Sequence, residues 1–377
     1  MDPYRRHVLI YRFLACLLRP VIRARFNLSC GKPDARGPFL LVSNHVTSWD
    51  PLLVGVCLGG SQAYFVASEH LFRLGLLTKV INWLLAPIPR RKASTGMDTV
   101  KACLRHLHAG HSVCLFAEGE QCWDGRTGPI FPATGKLAKN SGAWLVTFRL
   151  EGGYLSLPRW ARHICRGAVH GHPVGCYSPE ELRALSPKEV NALIQRDIGE
   201  DAWERQRAFP VRYRGKRRAE GMERALYACP GCKRIGTLRT ERDRIICFCG
   251  FERTYTEYGF FAPNEPFETV ADWDAWQREL LRSRAFAHAG GLLFRDDGLE
   301  LKRIHPDHSE DLLARGTLCQ YEDRLECGDH RFSLTEISNM AMVQSHLLLF
   351  SCKGEYYQLR SSSGANLRKY LEIWKEI

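Results

Sequence analysis

No stretch of the 377-residue chain runs to about 18 uninterrupted apolar residues, which excludes an ordinary bilayer-spanning helix. The early apolar region is broken by Arg12 and Arg19, so no secretory leader is expected there. Acidic residues are in deficit: 41 Asp and Glu face 53 Lys and Arg, for a formal net charge of +12. Such a balance calls for an anionic partner, whether phospholipid headgroups, phosphate-bearing substrates or nucleic acid, and charge alone does not choose. A disulfide framework is missing as well. The fifteen cysteines are odd in number and mostly scattered, which points to a reducing, cytosolic compartment. With 45% apolar residues at this length, two or three units with sizeable cores are expected.

The chain divides by texture. Residues 1–26 read as an interfacial amphipathic helix, with Val8, Leu9, Ile10, Phe13, Leu14, Leu17, Leu18, Val21 and Ile22 recurring at helical spacing and Pro20 a candidate kink. Arg5, Arg6, Arg12, Arg19, Arg23 and Arg25 accompany one acidic residue, Asp2, which suits an anionic membrane surface. An ordinary helix packed on the next domain fits the same pattern. Residues 27–204 alternate short apolar strands, at 39–43, 63–67, 112–116 and 144–150, with helical stretches, the signature of an α/β domain. Later in that segment, Ser178-Pro-Glu-Glu181 and Ser186-Pro-Lys-Glu189 each specify a helix start by a capping serine, a proline and a glutamate. A basic linker at 205–226 leads to a cysteine module at 227–260 and a connecting helix at 261–289. From 290 to 377, short strand-like segments precede one amphipathic helix carrying Leu367, Tyr370, Leu371, Trp374 and Ile377. That order suggests a small antiparallel β barrel of pleckstrin-homology-like design with a capping helix. The expected fold is multidomain: an α/β domain, a small zinc ribbon and this β barrel.

Two constellations carry chemistry. Cys229-Pro-Gly-Cys232 and Cys247-Phe-Cys249 form two close cysteine pairs, the first on a Pro-Gly turn, which suits tetrahedral thiolate binding of a structural zinc ion. The second pair has one intervening residue where the usual ribbon has two. No interleaving of stacking aromatics with basic residues is evident there, so nucleic acid is not the expected partner. The other constellation is Asn44, His45 and Asp50, which follow the apolar run 39–43 onto a turn. Imidazole accepts a proton near neutral pH, and a carboxylate holds its other nitrogen in the right tautomer, so the pair can activate a hydroxyl. In the blander reading Asp50 caps a helix starting at Pro51 and His45 is a loop residue.

The ordered blocks Asn44-His45-Val-Thr-Ser-Trp-Asp50-Pro51, Ile88-Pro-Arg-Arg91, Leu115-Phe-Ala-Glu-Gly119 and Phe131-Pro-Ala-Thr-Gly135 resemble the glycerolipid acyltransferase family that includes lysophosphatidic acid acyltransferases. The resemblance implies that His45 and Asp50 are the catalytic pair, that Arg91 contacts phosphate, and that Glu118 and Gly119 line the substrate site with Asn44. It implies an acyl-CoA or acyl carrier protein thioester as donor and a lysophospholipid as acceptor. Backbone N–H groups on the Glu118-Gly119 turn are expected to help hold anionic oxygen. One departure stands out: the family block continues Thr-Arg after Glu-Gly, whereas this chain has Glu120-Gln121, and Arg126 is the candidate to restore the lost phosphate contact. The whole chain is similar to bacterial lysophospholipid acyltransferase-like proteins that add a cysteine ribbon and a small β module. The expectation is an enzyme attached peripherally or monotopically to the cytoplasmic face of the cell membrane. The alternatives are an inactive lipid-binding adaptor on the same scaffold and a zinc-ribbon nucleic-acid-binding protein.

Overall fold

The computed structural model describes residues 2–73, 75–90, 96–283, 291–362 and 364–376. Packing divides the described residues into two compact units, the first built from those before 215 apart from 160–163, the second from 160–163 and those from 215 onward.

In the first unit a mixed sheet is assembled from β1 (Leu28–Cys30), β2 (Phe39–Ser43), β3 (Ala63–Ser68), β4 (Ile88–Arg90), β5 (Ser112–Phe116), β6 (Trp144–Glu151) and β7 (Val169–Tyr177). Their order is β1-β7-β6-β2-β5-β3-β4. β6 and β7 pair antiparallel and the other neighbours run parallel. Nine helices accompany the described strands: α1 (Pro3–Phe26), α2 (Asp50–Cys57), α3 (Leu76–Leu85), α4 (Met97–His108), α5 (Ala133–Asn140), α6 (Gly153–Ser156), α7 (Pro179–Ala184), α8 (Pro187–Ile198) and α9 (Ala202–Ala208). β2 lies between β6 and β5, and all five of its residues are buried, as a continuous apolar run in a parallel sheet requires. Its register sets Ser43 opposite Phe116, so the chain leaves β2 and β5 side by side, where open α/β sheets carry ligands.

Strands 39–43 and 112–116 fall on their expected bounds, and 63–68 and 144–151 each run one residue further. Between β3 and β4 come a 3₁₀ turn at Glu69–Arg73 and then α3, with Gly75 at φ +60° at the start of α3. Both serine-capped helices carry reciprocal Ser178–Glu181 and Ser186–Glu189 capping boxes.

The N-terminal helix α1 spans Pro20, and Asn27 in the left-handed region closes it. Tyr11, Ile22 and Phe26 are buried, while Leu9, Phe13, Leu17 and Val21, one every fourth residue, are exposed. α3 lies beside it and buries no residue at all; Leu76, Leu77, Val80 and Trp83 face outward, and Arg6 of α1 sits over the Trp83 ring at 5.0 Å. Among the described residues no helix is long and apolar enough to cross a membrane.

The second unit begins with an antiparallel sheet of β8 (Leu238–Glu241), β9 (Arg244–Cys247), β10 (Glu252–Tyr255) and β11 (Phe261–Ala262), followed by α10 (Val270–Ser283). Of the connecting helix expected at 261–289, the structure describes Val270–Ser283; 284–290 lie outside the described residues. Then come β12 (Leu292–Ile304), β13 (Glu310–Tyr321), β14 (Arg324–Cys327), β15 (His330–Ser333), β16 (Ile337–Val343), β17 (Leu347–Cys352), β18 (Glu355–Ser361) and the closing helix α11 (Arg368–Lys375). The last seven strands form one antiparallel sheet, ordered β15-β14-β13-β12-β18-β17-β16. The first of these strands, β12, is longer than the short segments expected and carries an irregularity between Asp296 and Leu299, where Gly298 takes φ +75°. α11 buries Tyr370, Leu371 and Ile373, and also Arg368, whose Nη1 meets Asp274 Oδ1 of α10 at 2.7 Å. Ile377 lies outside the described residues.

The α5–α8 contact supports the sheet from the side that carries the fourth sequence block. Gly135 N–H donates to Asn191 Oδ1 at 2.9 Å, and a Cβ on Gly135 would collide with the Pro187 carbonyl and approach Asn191 N at 2.8 Å. Gly135→Ala is therefore expected to cost about 1–3 kcal/mol, read as a lower urea midpoint at unchanged slope.

Candidate active site

The turn after β2 is folded around one carboxylate oxygen. Asp50 Oδ2 accepts from His45 Nδ1 at 2.7 Å, from Val46 N–H at 2.7 Å and from Thr47 N–H at 3.0 Å. Asp50 is the first residue of α2 and is fully buried. Its bonds run back to the preceding turn, which sets aside the simple capping reading. Burial pushes its pKa up, and the bonds from His45, Thr47 and Val46 pull the other way. The His45 ring stacks on Phe116 with centroids 4.4 Å apart and planes 20° apart. With Nδ1–H given to Asp50, the neutral ring carries its lone pair on Nε2, and among the described residues Nε2 has no hydrogen-bond partner. The His45 side chain is 19% exposed, so that nitrogen belongs to a half-covered ring with one free face.

Of the other expected residues that the structure describes, each has partners of its own. Asn44 is fully buried: its Nδ2 donates to Leu150 O at 2.9 Å and its Oδ1 accepts from Leu150 N–H at 2.8 Å. The side chain thus prolongs the β2–β6 ladder by one step and, fully buried, is turned to the backbone. Glu118 is a clamp: Oε1 accepts from His45 N–H and Oε2 from Gly128 N–H, both at 2.7 Å. Burial pushes Glu118 up to about 8 against those two bonds, with the Asp50 and Glu120 charges adding to the rise.

Gly119 takes φ +73°, and a Cβ there would collide with the Phe131 ring, so glycine is required twice over. Its N–H donates to Phe116 O at 3.2 Å, so this N–H is not the oxyanion donor expected of the turn. Arg126 is tied to Asp201, Nε to Oδ2 at 2.7 Å, at the start of α9, so it is not a spare phosphate ligand. Arg91 lies outside the described residues.

Two residues that the sequence reading passed over matter here. Arg90 stacks its guanidinium over Phe131 at 4.4 Å, and its Nη2 lies 3.4 Å from where a Gly119 Cβ would be. Among the described residues it has no ion pair or hydrogen bond, and burial draws its pKa below the usual guanidinium value. A half-buried cation without a counter-charge is a place where an anion can bind. The signal was present in β4: at period two, Arg90 shares a face with buried Ile88. Arg159, with a side chain 2% exposed, donates from Nη1 to Glu120 Oε2 at 2.9 Å and to Gln121 O at 3.0 Å, and stacks on Trp123 at 4.1 Å. The altered Glu120-Gln121 segment is therefore matched by its own internal cation.

The cysteine cluster sits in the second unit. The Sγ atoms of Cys229, Cys232, Cys247 and Cys249 all lie within 4.8 Å of one another, with Cys229–Cys249 at 3.7 Å and Cys232–Cys247 at 3.8 Å. A tetrahedron with Zn–S near 2.3 Å has an S···S edge of about 3.8 Å, so these four thiols fit a zinc ion. A bound zinc there would crosslink two turns and supply no chemistry beyond that.

With this geometry in hand, the likeness to known proteins can be read. Residues 27–151 match the family model described as Acyltransferase. The chain is 26% identical over 160 residues to the chloroplastic 1-acyl-sn-glycerol-3-phosphate acyltransferase BAT2 of Brassica napus, covering 40% of this chain and 44% of that protein. It is 25% identical over 159 residues to the corresponding chloroplastic enzyme LPAT1 of Arabidopsis thaliana, covering 40% and 43%. The chain thus spans under half the length of these curated relatives. Among solved structures, the 1-acyl-sn-glycerophosphate (LPA) acyltransferase PlsC from Thermotoga maritima aligns with 52% of this chain and 96% of its own, at 16% identity and a TM-score of 0.36. Residues 27–151 are thus similar in sequence to the acyltransferase family. Within that class, the likeness is to its glycerolipid branch.

Replacing Glu118 by glutamine turns an NH2 group toward one of its two N–H donors. Glu118→Gln is expected to lower stability by about 1–3 kcal/mol. Because the folded pKa is raised to about 8 from 4.5, the stabilisation tied to the neutral acid is full below pH 4.5 and is lost as pH rises through about 8. The urea midpoint of the native protein should fall across that upper range, and this slope should flatten in Glu118→Gln.

Proposed function

We propose that the protein is a membrane-associated acyltransferase that moves a fatty acyl group from an acyl thioester, acyl-CoA or acyl carrier protein, to a glycerol hydroxyl of lysophosphatidic acid or a related lysophospholipid. The observation that carries this reading is the His45–Asp50 pair with Nε2 left open, inside a stretch similar in sequence to the acyltransferase family. A glycerol hydroxyl is a weak nucleophile at neutral pH. Its proton passes to His45 Nε2 as its oxygen attacks the thioester carbonyl carbon, and buried Asp50 stabilises the imidazolium. The C–S bond then breaks, the leaving thiolate takes the proton from Nε2, and an oxygen ester remains. No covalent acyl-enzyme is needed. Arg90 is the residue best placed to hold the acceptor phosphate.

Membrane attachment is supported by the exposed apolar faces of α1 and α3, which lie side by side with arginines along α1. We infer peripheral attachment to the cytoplasmic leaflet. Seven antiparallel strands followed by α11 support reading residues 290–377 as a pleckstrin-homology-like module, and the four thiols support a structural zinc at 227–260. An inactive adaptor on the same scaffold is the second reading; the intact His45–Asp50 geometry favours an enzyme.

The test is turnover of an acyl thioester offered with lysolipid acceptors. His45→Ala is expected to lower kcat/KM by about 10²–10⁴-fold, with Asp50→Asn in the same direction. Lysolipid binding without thioester consumption by the native protein would favour the adaptor. For the metal, a thiol-reactive mercurial should release a single equivalent of zinc, and metal removal should lower the melting temperature.

A further inference from the structure

The cysteine module carries a surface that acyl transfer does not use. Phe248 stands between Cys247 and Cys249 and is 76% exposed. On β8, Arg239 lays its guanidinium over the Phe248 ring at 5.0 Å. Lys233 and Arg234 follow Cys232 in the facing turn, and both are exposed. The two turns meet at this end: Cys232 and Cys247 sulfurs lie 3.8 Å apart, and a Cβ on Gly231 would touch Phe251 Cβ at 3.2 Å and Cys249 Sγ at 3.5 Å. None of Lys233, Arg234 and Arg239 has an acidic partner among the described residues. Arg244, elsewhere on the same ribbon, is paired with both Glu241 and Glu252. Carboxylates are therefore available to the ribbon and are withheld from its tip.

We propose that this tip docks on an anionic phospholipid surface, with Phe248 entering the boundary between headgroups and acyl chains and Lys233, Arg234 and Arg239 meeting lipid phosphates. An exposed phenyl ring gains by leaving water, and three cations on the same module, Arg239 over the ring and Lys233 and Arg234 beside Cys232, are drawn to a negative surface. Single-stranded nucleic acid, the other partner a basic ribbon suggests, is held on successive aromatic platforms. The neighbouring ring, Phe251, is not one of them: it packs edge-on against Trp273 with centroids 5.6 Å apart and is covered by Arg253 at 4.5 Å. The choice of a bilayer also rests on the lipid-acylating reading.

The experiment is cosedimentation of the full-length protein with vesicles of phosphatidylcholine, alone or mixed with phosphatidylglycerol. Phe248→Ala is expected to lower partition onto the mixed vesicles about tenfold, and Phe248→Trp to retain it. Arg239→Ala, on the strand away from the sulfurs, should lower it about fivefold and weaken the preference for phosphatidylglycerol. Zinc content and turnover of a detergent-dispersed acceptor should stay at the native level, so that failure of the enzymatic reading appears in turnover and failure of the docking proposal in partition. Equal partition of the native protein and both alanine variants overturns the proposal. So does Phe248-dependent, steeply salt-sensitive binding to a single-stranded oligonucleotide with vesicle partition unchanged.

Discussion

The first unit depends on what one buried oxygen accepts. Three donors converge on Asp50 Oδ2, two of them backbone N–H groups of the turn that holds His45. The carboxylate thereby shapes the loop and sets the ring in the same act. Its position as the first residue of α2 puts negative charge where the helix dipole favours it, partly offsetting full burial. The arrangement works only because β2 and β5 end side by side, which brings Phe116 under the imidazole and Glu118 under the His45 backbone.

Around that centre the charges are sorted by depth. Two carboxylates, Asp50 and Glu118, are buried and held by backbone donors, while the half-buried guanidinium of Arg90 lies over an aromatic ring without a counter-charge. The buried acids keep the frame rigid, and the unpaired cation is the part left for something else to complete. This division explains why conspicuous polar residues of the quoted blocks, Asn44 and Glu118, meet the backbone rather than solvent.

Much of this was readable before any coordinates. Apolar runs located β2, β3, β5 and β6, whereas the three-residue strands β1 and β4 are too short to give such a run; serine capping boxes located α7 and α8 because their signals are local. β7 escaped notice because Gly171, Pro173 and Gly175 hide a strand that only pairing with β6 and β1 stabilises. The His45–Asp50 pair was legible from spacing, whereas the duties of Asn44, Glu118 and Arg126 were not. Their partners, Leu150, Gly128 and Asp201, are set by tertiary approach, which carries no short-range pattern. In the second unit, α11 read as a helix with one apolar stripe. It also buries Arg368 and Lys369, because Asp274 and Asp296 await them across the fold.

The Glu120–Arg159 pair fastens two distant stretches of the first unit to each other. The guanidinium is almost wholly out of solvent, so exchanging Glu120 for a neutral or basic residue would strip a buried cation of this carboxylate, a change that typically costs about 3–5 kcal/mol. The acid at position 120 and the cation 39 residues downstream are therefore best exchanged together, and the residue that departs from the expected wording of its block has a structural duty in this fold.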